Sequence, residues 1–336
     1  MRWCKFHPIL RSGTRGLLWA LAASMLGLIA VGASSPASAQ SSPDSTDWVQ
    51  VRLHHGTEVE SVRLTPRRSS LSVLLPSSDS PILRLTRDET VTLGRRQGDV
   101  YARRGTANLY ARSLRLAPSG GGSWTLALPS ESKRTYTGRL TLRPADSSTG
   151  LRLVNRVPLQ DYVASVVAAE YGLDDRAGTR AMAVVARTYA LFSTKHFDGD
   201  YDHVDGTASQ VYRGKDVITA AARRAARETQ GQMLTYDGAP IQAVYFSSSG
   251  GHTASNEAVW TDSPSLPYLR GKEDPYDQAS PKHRWTTRIN RRALLQALSL
   301  HHGASVEGFL LGDRTPSGRL ATIEVLFSDD TETDME

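Results

Sequence analysis

This 336-residue chain has almost no cysteine: Cys4 is the one example. With no second thiol there is no intrachain disulfide, and past residue 4 there is no thiol nucleophile and no cysteine-ligated zinc. A serine nucleophile elbow, G-x-S-x-G, is missing as well. Gly120-Gly121-Gly122 is followed by no helical pattern, so it does not make a phosphate cradle. A strong charge excess is also lacking. The first 39 residues hold four of the 40 basic residues and none of the 34 acidic ones, so the rest of the chain is close to neutral. That balance gives no support for nucleic-acid binding.

What is present at the start is an address. Arg2, Lys5, Arg11 and Arg15 precede an apolar run, Leu17 to Ala33, and Ala37-Ser38-Ala39 has the A-x-A form of a cleavage site. This order is the secretory signature, and the run is short for a membrane span of about 20 residues. Cleavage after Ala39 predicts an exported protein of the periplasm, cell envelope or exterior, with no membrane span left afterwards.

Residues 40–47 read as a polar linker. Residues 48–133 read as a β-rich region in which "VQVRL" (49–53), "SVRLT" (61–65), "LSVLL" (71–75), "TVTLG" (90–94), "SLRLA" (113–117) and "WTLAL" (124–128) alternate between turn residues. A hairpin follows, 136–143 with 151–155. The period then becomes helical, first after Pro158, where Leu159, Val163, Val166 and Val167 share a face, and again from a Thr179 cap to Lys195. A third helix is expected over 217–230, two strands over 233–246, a helix from Arg291 to His302 and a strand over 321–327. The acidic end, 328–336, reads as disordered. The fold class is therefore α+β.

Among the chemistry-bearing residues Glu170 stands out. It lies three, four and seven positions after Val167, Val166 and Val163, which puts its carboxyl on the apolar face. Burial there would raise its pKa toward the range of a general acid. The alternatives are that it swings into solvent or pairs with an arginine such as Arg187. The stretch "DYDHVDG" (200–206) lacks the ligand series of a calcium loop and reads as a solvated acidic turn. His54-His55 read as a surface pair. A serine hydrolase built from Ser248 or Ser249 with His252 is a third, weaker arrangement.

Residues 134–277 resemble the SpoIID/LytB domain family. The resemblance is carried by "YTGRLTLR", "LVNRVPLQDYVASVVAAEY", "RAMAVVARTYAL", "SQVYRG", "ETQGQMLTYDGAPIQAVYFSSSGGHTASNEAVW" and "PYLRGKEDPYD", in that order. It implies a domain over 134–327 of packed helices against antiparallel strands. The implied activity is that of a peptidoglycan lytic transglycosylase acting on strands stripped of their peptides. The family's catalytic glutamate falls on Glu170 and its helix arginine on Arg187. The tyrosine and basic residue of its Y-L-[KR] motif fall on Tyr268 and Arg270. Substrate contacts are expected of Arg187, Tyr268, Arg270 and the loop Ser249, Gly250 and Gly251. No cofactor is implied. Some members bind zinc through a cysteine motif before Q-V-Y, but "DGTASQVY" has no cysteine, so no metal is expected either.

Three departures accompany the match: Tyr171-Gly172 follows Glu170, Met182 replaces a glutamine, and the family's final strands and helix are not matched after "IEVLF". The last suggests a catalytic domain incomplete at its C-terminal end. The competing function is that of a wall-binding protein that stimulates an N-acetylmuramoyl-L-alanine amidase without cleaving glycan. The partners expected are peptidoglycan strands and a wall amidase, with no nucleic acid.

Overall fold

The computed structural model describes residues 48–335 apart from 130–131, 148, 193–200, 261, 289, 291, 295, 297–304 and 329–331. The expected export signal and linker lie outside these residues, as does most of the helix expected at 291–302. The chain divides into two compact units, one ending at Val244 and one beginning at Tyr245.

The first unit opens with nine strands: β1 (Trp48–Leu53), β2 (Ser61–Pro66), β3 (Leu71–Leu74), β4 (Leu83–Leu85), β5 (Val91–Arg96), β6 (Asp99–Arg104), β7 (Ala107–Ala111), β8 (Leu114–Pro118) and β9 (Ser123–Ala127). Next come β10 (Arg134–Thr137), β11 (Arg139–Pro144) and β12 (Leu151–Pro158). The helices α1 (Leu159–Glu170) and α2 (Arg176–Phe192) follow, then β13 (His203–Val204), α3 (Ala220–Glu228) and the short pair β14 (Thr235–Tyr236) and β15 (Ala239–Pro240). Asp237 and Gly238, both at positive φ, make the two-residue turn of that pair.

The strands form a seven-stranded sheet, β13-β1-β12-β11-β8-β3-β4, and a six-stranded sheet, β10-β9-β2-β5-β6-β7. Neighbours are antiparallel except β1 and β13. The inward residues of both sheets and of the three helices form one apolar cluster. Each fully buried leucine or valine there contributes roughly 2 kcal/mol relative to exposure.

Two expectations need correcting here. The boundary at 133/134 is not a structural one, because β1 pairs along its whole length with β12 and β8 pairs with β11. The stretch 136–143 is also not a single strand. It breaks at Gly138, where the chain leaves β10 in one sheet and enters β11 in the other. Gly138 has φ +79, and a Cβ there would collide with the Arg156 carbonyl. Only glycine meets both demands without strain. The alternating pattern runs straight through the break, so periodicity alone does not reveal it.

α1 begins where expected and ends in a glycine turn. Gly172, at φ +67, turns the chain out of the helix and donates its N–H back to the Val167 carbonyl at 3.5 Å. α2 starts earlier than expected. Asp175 rather than Thr179 receives the first-turn N–H, from Gly178, and its other carboxylate oxygen accepts from the Tyr171 hydroxyl at 2.6 Å. The Tyr171-Gly172 departure thus closes one helix and braces the cap of the next. α3 is capped by Thr219, whose hydroxyl accepts from Ala222 N–H at 3.1 Å. Alanines 164, 183, 186, 190, 222, 225 and 226 are buried where the three helices meet.

The second unit is mostly loop between 245 and 290. It adds an antiparallel sheet of β16 (Val306–Leu311), β17 (Ile323–Phe327) and β18 (Glu332–Met335) around Val306, Val325 and Phe327. The C-terminal stretch read as disordered therefore includes a strand. Among the described residues no helix is long and apolar enough to cross a membrane.

Candidate functional site

α1 carries a column of polar side chains that face the segment Gln210–Gly214. The Tyr162 hydroxyl donates to Gln210 Oε1 at 3.1 Å, Ser165 Oγ accepts from Arg213 N–H at 3.2 Å, and Glu170 Oε1 accepts from Val211 N–H at 2.8 Å. Tyr162, Ser165 and Gln210 are buried. Glu170 is exposed. The expectation of a buried carboxyl is therefore corrected. The helical period does put Glu170 in line with the apolar face, but the end of α1, after Ala168, runs past the edge of the core.

The Gln210–Gly214 segment is fixed from its other side too. The Tyr212 hydroxyl donates to Asn155 Oδ1 at 2.9 Å, and Asn155 Nδ2 donates to the carbonyls of Thr137 and Arg139 at 2.9 and 3.0 Å. Asn155, fully buried in β12, therefore straddles the sheet change at Gly138 and carries that geometry to the Glu170 loop. Gly214, at φ +74, lies against the Thr135 carbonyl, where a Cβ would not fit. Sequence reasoning did not single out Asn155. The available signal was a polar residue in the strand "LRLVNRVP", where the flanking valines are buried.

Arg187 does not reach a substrate. It is 1% exposed, and its guanidinium donates to the Ala226 carbonyl at 2.9 Å and to the Gln232 carbonyl, Thr229 Oγ1 and Gln160 Oε1 at 3.2 Å each. Every one of these acceptors is uncharged. Burial lowers its pKa to about 10. The substrate-contact role expected of Arg187 is therefore corrected: it clamps α1, α2, the end of α3 and the following turn together.

From Tyr201 to Asp205 the "DYDHVDG" stretch is not a solvated turn. Asp202, His203 and Asp205 are buried. Asp205 accepts from the backbone N–H of His54 at 2.8 Å and of His55 at 3.1 Å, and His54 is itself buried. His203 Nε2 sits 2.9 Å from the Ala190 carbonyl, which can only accept. That leaves Nδ1, 2.9 Å from Ser209 Oγ, to take the serine proton when the ring is neutral.

In the second unit the Ser249, Gly250 and Gly251 loop wraps a carboxylate. Asp277 accepts from Ser248 Oγ at 2.9 Å, Ser249 N–H at 3.0 Å and Gly250 N–H at 2.9 Å, and His283 Nδ1 lies 2.8 Å away. The His283 ring, followed by Ser248 and the two amides, holds the Asp277 carboxyl down at about 2, against the opposing effect of burial. Ser249 Oγ donates to Asp274 at 2.9 Å. Ser248 thus gives its proton directly to a carboxylate, with no imidazole between, and His252 Nδ1 is 2.6 Å from the Thr253 carbonyl. The serine hydrolase arrangement fails on this geometry. Arg270 forms a two-pronged pair with Glu257 and also holds Asn256 Oδ1 at 2.6 Å, while Tyr268 is half-buried.

Residues 147–236, which hold Asn155, Glu170, Arg187 and Gln210–Gly214, match the family model described as SpoIID, Stage II sporulation protein. This segment is what the chain shares with the SpoIID/LytB family. The chain is 32% identical over 192 residues to Stage II sporulation protein D of Bacillus subtilis, covering 52% of this chain and 55% of that one. Against the protein of the same name from Bacillus amyloliquefaciens it is 31% identical over 188 residues, with 50% and 54% covered. It is also 36% identical over 115 residues to the Amidase enhancer of Bacillus subtilis, covering 34% of this chain and 15% of that one. The chain spans about half the length of the two sporulation proteins. Within the matched SpoIID segment, the structure brings Glu170 to the Gln210–Gly214 loop and buries Arg187 among the helices. Tyr268, Arg270 and Ser249 to Gly251 follow the matched segment and lie in the second unit.

Proposed function

We propose that this protein is an exported lytic transglycosylase that cleaves peptidoglycan glycan strands, with Glu170 as its only acid/base. The observation that supports this best is the setting of Glu170: an exposed carboxyl at a helix end, with one oxygen fixed by Val211 N–H, inside the SpoIID segment. A carboxyl so placed is oriented yet open to a bulky polymer.

The reaction needs one carboxyl because the nucleophile belongs to the substrate. Protonated Glu170 gives its proton to the glycosidic oxygen as the C1–O4 bond breaks. The resulting carboxylate then takes the proton of the muramyl C6 hydroxyl as that oxygen bonds to C1, closing a 1,6-anhydro ring. No water is consumed, and Glu170 ends protonated again. A general acid works best with a pKa near the working pH. A glycan bound over the exposed Glu170 would exclude water from the carboxyl. Tyr268, Arg270 and the Ser249-Gly250-Gly251 loop are assigned glycan contacts in the second unit, and a denuded strand is the assigned substrate. An envelope location and a wall amidase that strips the peptides belong to the same reading.

The likeness to a protein named Amidase enhancer favours a second reading, a wall-binding protein that stimulates an amidase without cutting glycan. One experiment separates the two. The chain is incubated with amidase-treated glycan strands, and 1,6-anhydromuramyl ends are sought by mass spectrometry. New ends with wild type but not with Glu170→Gln support the enzyme. Identical traces sink it, and faster amidase turnover in the same assay then favours the enhancer.

A further inference from the structure

The outer face of the six-stranded sheet has a composition that neither packing nor the Glu170 site explains. The register puts Arg63 of β2 opposite Thr92 of β5, and Thr92 opposite Arg103 of β6. The two arginines thus share one face in a single cross-strand row, their backbones two strands or about 10 Å apart. Both are exposed, and neither is engaged by another of the described residues.

Beside this row lies an open groove of about 220 Å³ lined by Arg63, Arg67, Lys133, Thr65, Thr90 and Thr125. Thr65 and Thr90 share a hydroxyl hydrogen bond of 2.8 Å, and Thr125 forms part of the floor. On the other side of the row, Tyr101 lies across Gly94, where any Cβ would strike its ring. Tyr110, 47% exposed, stands next to it with ring centroids 6.1 Å apart. At the rim, Asp88 is taken by Arg67 and Arg87, and Glu89 faces Arg104.

We infer that this face is a second binding platform for a glycan strand that carries free carboxylates. Two arginine forks suit carboxylates, the threonine hydroxyls suit sugar hydroxyls, and the tyrosine faces suit the apolar faces of sugar rings. An amidase that cuts the bond between a lactyl group and its stem peptide leaves one carboxylate on each muramyl residue, so a denuded strand presents anions at regular intervals. The identity of the polymer rests on the function proposed above; the charge pattern does not.

Binding of soluble amidase-treated strands to the full chain, held in the Glu170→Gln form to prevent cleavage, provides the test. The double variant Arg63→Glu/Arg103→Glu should bind roughly tenfold more weakly, with an unchanged circular dichroism spectrum. Arg63→Lys/Arg103→Lys should recover part of the loss. Strands whose carboxylates are methyl-esterified should bind as weakly as the double variant. Equal binding by the double variant, equal binding of esterified strands, or tighter arginine-dependent binding of a glycerol-phosphate polymer would each overturn the inference. Arginine-dependent binding without any anhydro ends from wild type would leave the platform standing and remove the proposed catalysis. Cleavage with no dependence on the arginines would do the reverse.

Discussion

Glu170 Oε1 and Val211 N–H are joined by a hydrogen bond of 2.8 Å across 41 residues of chain. This bond ties the end of α1 to the loop that Tyr162 and Ser165 hold from the same helix. It also sets how a substitution at the site should behave.

Glu170→Gln keeps an oxygen to accept from Val211, and the position is exposed. Its unfolding free energy should stay within about 0.5 kcal/mol of wild type in urea titration, while anhydromuramyl product falls to background. A destabilised Glu170→Gln would mean that the residue is structural, and loss of product would then say nothing about acid/base chemistry.

Arg187 gives the opposite signature. Arg187→Met strands the buried Ala226 carbonyl and takes a donor from the buried Thr229 hydroxyl, so a loss of roughly 2–4 kcal/mol is expected. Arg187→Lys should recover only part of it, because one ammonium cannot span acceptors set around a planar fork. Urea midpoints with unchanged slopes would measure both. A Met variant as stable as wild type would refute the clamp.

Asp277 makes the second unit sensitive to acid. Its carboxyl sits at about 2 in the folded chain, below the ordinary 3.8. The unfolded chain therefore binds this proton more readily. The stabilisation is complete above about pH 4 and drains away as pH falls toward 2. Hydrogen exchange at the Ser249 and Gly250 amides should accelerate over that window, once corrected for intrinsic rates. In Asp277→Asn it should be fast throughout. Exchange independent of pH in wild type would show that the carboxylate does not hold the loop.

Gly138→Ala combines a left-handed backbone with a collision against the Arg156 carbonyl. It should cost on the order of 1–3 kcal/mol and lower the melting temperature measurably. Gly98→Ala, also at positive φ but with open space around the site, should cost about 1 kcal/mol. Equal losses would mean that the crossing at Gly138 is not tight.

Much of this fold is legible in the sequence. Alternation marks β1, β2, β3, β5, β8 and β9, and the spacing of Leu159, Val163, Val166 and Val167 sets α1 after Pro158. What periodicity does not carry is where an element stops being covered. It aligns Glu170 with Val163 and Val167 but cannot say that the core ends just before it. It also misses long-range neutralisation. Asp202 and Asp205 read as solvated because their partners, the amides of Gln50, His54 and His55, come from β1 and the turn after it, about 150 residues away. Arg187 escapes for a related reason: its acceptors are carbonyls, which leave no mark in a sequence. The motif order, by contrast, singles out Glu170 and the Gln210–Gly214 loop directly, and the structure joins them.

The pairing of β1 with β12 has a kinetic meaning. β1 leaves the ribosome first among the described elements, yet its partner follows only after β2 to β11 have been made, and that partner hands the chain straight into α1. Closing the sheet that leads into α1 therefore needs contacts across about a hundred residues, and trimming the chain through Leu53 would remove the strand that pairs with β12.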